Sequence, residues 1–222
     1  MSDSGPRWRW LAVPLAALAV WGLARCGHPS TPDAPPRPAS GASSSPPHSA
    51  SSSPSAPERG APYDPADFAT QVRTHSRQAG INPTLLMAIL YNESYKPHDP
   101  ELERAWQRGK PEASFGIANM HRAAFDETKR AHGFADRRWE ELPDDRDLAI
   151  EAAAWHLHDL AAQLPARWAG PYSRDELPAL GYNAGAGNMS AFARGVKPGS
   201  QARTYLDRLH ANWARAAAAL RT

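Results

Sequence analysis

Asn82-Pro-Thr-Leu-Leu-Met-Ala-Ile-Leu-Tyr-Asn-Glu-Ser94 reads as a capped helix that ends on a carboxylate in an apolar position. Asn82 is a good N-cap and Pro83 suits the first helical position, so a helix is predicted over 83–94. Leu86, Ile89 and Leu90 share one face, and Glu93 falls three and four residues after the last two, on the same stripe. Two readings are open. A Glu on a buried stripe is desolvated, stays protonated near neutral pH and can donate a proton. A Glu at a fraying helix end is half exposed and chemically ordinary.

Two later segments bear on that choice. Ser114-Phe-Gly-Ile-Ala-Asn119 is a short glycine-containing loop, and Gly181-Tyr-Asn-Ala-Gly-Ala-Gly-Asn188 is a glycine-rich turn carrying a hydroxyl and an amide. Taken in order with Glu93-Ser94, they resemble the lysozyme-like domain of the soluble lytic transglycosylases. That family's patterns are Glu-Ser, then Ser-x-Gly-Leu-Met-Gln, then Ala-Tyr-Asn-Ala-Gly. The resemblance covers roughly residues 63 to 222, and Tyr182 to Gly185 is its most specific piece. It departs at Ala118 and Asn119, which stand where Met and Gln are usual, and the interval from Glu93 to Gly116 is several residues longer.

The resemblance implies an all-α, lysozyme-like fold with a substrate groove. It also implies cleavage between N-acetylmuramic acid and N-acetylglucosamine without a cofactor or metal. Glu93 is then the catalytic acid, which afterwards acts as base on the C6 hydroxyl of the muramic acid and leaves a 1,6-anhydro end. Ser94, Ser114, Gly116, Asn119, Tyr182 and Asn183 are the expected substrate-side residues. Tyr205 matches a family tyrosine whose hydroxyl approaches the acid, and it also belongs to an apolar stripe. A hydrolysing lysozyme is the first rival. It needs a second carboxylate, roughly 6.5–9.5 Å away if inverting, and Asp99, Glu101 and Glu103 are the candidates. A catalytically inactive wall-binding module is the second.

The remaining chain sets the context. Its 222 residues hold one ordinary domain and a tail. A net charge of +2, with no basic cluster interleaved with aromatics, gives no nucleic-acid footprint. His156 and His158 point to different faces of one helix, so no metal-ligand pattern is visible.

Residues 1–26 read as a signal or membrane anchor. Arg7 and Arg9 precede the apolar run Trp10–Ala24, and the single cysteine, Cys26, follows it. Leu23-Ala24-Arg25-Cys26 resembles a lipobox with Arg25 in place of a small residue, so a lipidated Cys26 and an uncleaved helix are alternatives. Residues 27–62 are dominated by Pro, Ser and Ala and carry no large apolar side chain, which predicts a disordered tether. Such a tether spans on the order of 100 Å at ~3.1 Å per residue. The expected protein is therefore a monomeric, extracytoplasmic enzyme. It is held at the membrane or released into the wall, with peptidoglycan strands as its partner.

From Tyr63 onward helices are predicted over 65–77, 83–94, 120–132, 144–164, 174–182, 187–195 and 201–220, and no strand. The charged stretch 97–112 is predicted as a loop with one helical turn over 102–107.

Overall fold

The computed structural model describes residues 63–221. The expectations for residues 1–26 and 27–62, including Cys26, lie outside the described residues. Eight α-helices make up the described part: α1 (Ala69–Ala79), α2 (Pro83–Glu93), α3 (Pro100–Gly109), α4 (Arg122–Lys129), α5 (Arg146–Ala162), α6 (Glu176–Ala184), α7 (Ala186–Ala193) and α8 (Ser200–Ala219). The all-α, lysozyme-like fold class holds.

Helix α2 is the centre. Asn82 caps it, with Oδ1 accepting from the Thr84 N–H at 2.9 Å, and the Asn82 amide also donates to Asp175 at 2.7 Å. Every residue from Leu85 to Glu93 is buried. The helix is apolar all round, as a helix enclosed on all sides must be. It packs most extensively on α8, and also on α1 and α5. Leu86, Met87, Ile89 and Leu90 are fully enclosed. At ~1.5–3 kcal/mol each, they readily offset the burial of one carboxyl group.

Helix α5 starts at Asp145, whose carboxylate accepts from the Leu148 N–H at 2.9 Å. Its alanines 149, 152, 153 and 154 are buried and let neighbouring helices approach.

Three expectations are corrected. The stretch 97–112 is not a loop but contains a full helix, α3. Asp99 caps it through the Leu102 N–H at 3.0 Å, and Pro100 sits at its first position. Second, Met120 and His121 do not begin a helix. They pair with Ser114 and Phe115 as a small antiparallel ladder, Ser114 opposite His121 and Phe115 opposite Met120, and α4 starts only at Arg122. Third, Tyr182 and Asn183 are not in a turn but in the last turn of α6. The break comes at Gly185, whose φ of +86° separates α6 from α7 at little steric cost.

Candidate active site

Glu93 closes α2 and is only 8 % exposed. Its two carboxyl oxygens have different donors. The Tyr205 hydroxyl donates to Oε1 at 3.1 Å, and the Asn119 amide donates to Oε2 at 3.0 Å. Burial pushes the Glu93 carboxyl above its ordinary value. The two hydrogen bonds and the more distant cations Arg208 and Lys96 work against that rise without cancelling it. The acid therefore holds its proton more firmly than a free Glu, yet has two donors waiting for the anion. Of the two readings left open by the sequence, the half-exposed Glu is excluded.

Each donor is held in turn. Tyr205 comes from α8, where the Asn92 amide of α2 donates to the Tyr205 backbone carbonyl at 3.1 Å and Asn212 donates to Asn92 Oδ1 at 2.8 Å. Burial first, and the neighbouring Glu93 second, hold the Tyr205 phenol well above its ordinary range, so it remains a donor. Asn119 ends the loop between the two short strands in the left-handed region, φ +48°, which Asn tolerates better than most residues. That backbone turn carries the short amide to Glu93. The Asn119 amide also donates to the Glu93 carbonyl at 3.1 Å, and its Oδ1 accepts from the Lys96 ammonium at 2.7 Å. Both ends of the amide are thus engaged inside the protein.

The other expected residues fall around this centre. Ser114 meets Lys96, which donates to its carbonyl at 3.2 Å and to its hydroxyl at 3.3 Å. Gly116 donates its N–H to Glu103 at 2.7 Å. A Cβ on Gly116 would stand 2.9 Å from the Leu142 carbonyl oxygen, so packing by itself already requires glycine there. Tyr182 donates to the Ala118 carbonyl at 2.7 Å and so fastens α6 to the loop beside Asn119. Asn183 is half-buried, and its side chain has no hydrogen-bond partner among the described residues. The Ser94 hydroxyl donates back to the Tyr91 carbonyl at 2.9 Å and finishes the helix instead of touching the acid.

None of the three carboxylates proposed for a hydrolase is free beside Glu93. Asp99 is the α3 cap, and Glu101 is exposed in its first turn. Glu103 is buried, with one oxygen on His98 Nδ1 at 2.9 Å and the other on the Gly116 N–H. His98 Nε2 in turn lies 3.1 Å from the Glu93 carbonyl. Helix α3 is thus inside out, burying Glu103 and Gln107 while Leu102 and Trp106 are 63 % and 57 % exposed. A concavity of about 180 Å³ lies against that apolar face, with Lys96, Asp99, Ser114 and Phe115 among its lining.

Sequence reasoning missed Lys96, His98, Asn92 and Arg208. No local pattern marks them, because their roles follow from chain segments brought together by the fold. Among the described residues no group of His, Cys, Asp and Glu is arranged to hold a metal.

The sequence model of the transglycosylase SLT domain matches residues 71–203, more than half of the chain. The chain belongs to that family, whose members are lytic transglycosylases acting on peptidoglycan. The matched span includes Glu93, Asn119 and Tyr182 and ends just before Tyr205. No curated protein matches the chain.

Proposed function

We propose that this protein cleaves the N-acetylmuramic acid–N-acetylglucosamine bond of peptidoglycan by a lytic transglycosylase mechanism, in cell-wall remodelling. Protonated Glu93 donates to the glycosidic oxygen as the bond to C1 of the muramic acid breaks. The resulting carboxylate is held by Tyr205 and Asn119 while positive charge develops on the ring. The C6 hydroxyl then attacks C1 and returns its proton to Glu93. A 1,6-anhydro ring closes, and the acid is restored with no water consumed. Asn183, with its side chain uncommitted, is the amide available to the sugar.

The observation that carries this reading is the environment of Glu93. It is buried, raised in pKa and bound by two neutral donors, while Asp99, Glu101 and Glu103 are engaged elsewhere or exposed. One carboxylate suffices when the nucleophile belongs to the substrate, whereas an inverting hydrolase needs two.

Glu93→Gln tests the reading, since it keeps shape and hydrogen bonding but cannot transfer a proton. The expected variant folds, binds glycan strands and loses cleavage by at least ~10²–10⁴-fold, the usual worth of acid–base transfer. Cleavage at the wild-type rate would refute the assignment.

A further inference from the structure

Lys96 stands three residues beyond the acid, half-buried, and no feature of the sequence marks it. Its ammonium reaches three acceptors on the strand loop: Asn119 Oδ1 at 2.7 Å, the Ser114 carbonyl at 3.2 Å and the Ser114 hydroxyl at 3.3 Å. The first contact fixes a choice that geometry alone leaves open. An amide can be turned over, exchanging its oxygen and its NH2. Turned over, Asn119 would set its NH2 against the ammonium, donor against donor. It would also set its oxygen against both the Glu93 carbonyl and Glu93 Oε2. Only the observed orientation pairs every atom.

We propose that Lys96 is a positioning residue for the catalytic acid. Its ammonium locks the Asn119 amide in the orientation that donates to Glu93 and adds a positive charge one residue removed from the carboxylate. This inference rests on the proposed role of Glu93 and adds to it the device that opposes burial.

The groups facing Glu93 come from several elements: Tyr205 and Arg208 from α8, Tyr182 from α6, Asn119 from the strand loop, and Tyr95 and Lys96 from the segment after α2. His98 meets its backbone carbonyl only. Burial lowers the Lys96 ammonium itself, while Glu103 and Glu93 draw it back up. The Tyr95 ring lies 5.7 Å from Nζ. Of the two cations acting on Glu93, Lys96 is the one linked to it by hydrogen bonds, by way of Asn119.

The test follows the Glu93 carboxyl directly, by carbon NMR titration of the full-length protein labelled at Glu side chains, with the Glu93 signal assigned by its loss in Glu93→Gln. Lys96→Met removes donor and charge, and Lys96→Arg keeps both. In Lys96→Met the Glu93 midpoint should move to higher pH, and the alkaline limb of kcat should move with it. Its kcat should fall roughly tenfold to a hundredfold, as for loss of a hydrogen bond to a charged group, with KM little changed. Lys96→Arg should restore most of both.

Lys96→Gln serves if the methionine variant fails to fold. It keeps a donor without the charge, so its midpoint should also rise. An unmoved midpoint in the neutral variant, or an equal rise in Lys96→Arg, would overturn the proposal. The titration does not need turnover. A Glu93→Gln enzyme that still cleaves would sink the functional reading and leave this measurement standing.

Discussion

In the proposed mechanism Glu93 is an acid at one moment and a base at the next, and its neighbours divide that work. Burial favours the proton, while Tyr205, Asn119, Arg208 and Lys96 favour its departure. Tyr205→Phe removes one donor to the anion, a contact worth ~1.5–3 kcal/mol. The expected result is a roughly tenfold to hundredfold lower kcat with the alkaline limb of the pH–rate profile at higher pH. An unchanged profile would reduce Tyr205 to a core residue.

The raised pKa of Glu93 also has a stability signature. Between the ordinary Glu value and the raised folded value, the unfolded chain has lost the proton and the folded chain still holds it. Stability therefore falls as pH rises through that window. Glu93→Gln should then melt higher than wild type above the window and near it at acidic pH, as thermal scans across pH would show. Glu93 was legible because a carboxylate on an apolar stripe contradicts its own helix. Lys96 was not, because its position and partners come from a strand loop distant in sequence.

At the level of elements, the strand loop and α3 carry the site's frame. Gly116 joins them, giving its N–H to Glu103 of α3 and pressing against the Leu142 carbonyl with φ +71°. Gly116→Ala forces a non-glycine residue into that region, at ~1–3 kcal/mol before any clash. A melting temperature lower by roughly 2–4 °C per kcal/mol is expected, together with reduced cleavage, because Asn119 rides on the same loop. A variant as stable and active as wild type would contradict this.

Helix α3 escaped sequence reading for a physical reason. Its buried positions are Glu103 and Gln107 and its exposed ones Leu102 and Trp106, the reverse of the usual pattern. The two-residue strands were equally invisible, since so short a pair shows no alternation. By contrast α2, α5 and α8 were read nearly to their ends, because the cap at Asn82, an acidic cap at Asp144 or Asp145 and long apolar stripes agreed. Tyr182 was placed in a turn on the strength of its glycine neighbours, yet the helix runs on to Ala184 and only Gly185 breaks it.

Across the whole molecule, α8 returns the end of the chain to α2 near its centre and delivers Tyr205 to the acid. The matched family span stops at 203, so most of α8 lies beyond it. A chain ended after residue 203 should lose Tyr205, uncover the α2 face and fail to give a cooperative melt.

Residues 1–62 add the proposed reach. An anchored, extracytoplasmic protein should fractionate with membranes. Cys26→Ser then separates the mechanisms, since a lipoprotein loses its acyl group and an uncleaved helix stays in place. Among the described residues no helix is long and apolar enough to cross a membrane. Recovery of the full-length protein free in the cytoplasm would refute both.

The most direct measurement is mass spectrometry of the sugars released from purified peptidoglycan by the wild-type enzyme in heavy-oxygen water. Muramic ends lighter than reducing ends by one water, and carrying no heavy oxygen, are expected if Glu93 works alone and the C6 hydroxyl is the nucleophile. Reducing ends that carry the heavy oxygen would show that water attacks, and would contradict the single-carboxylate mechanism on which this account rests.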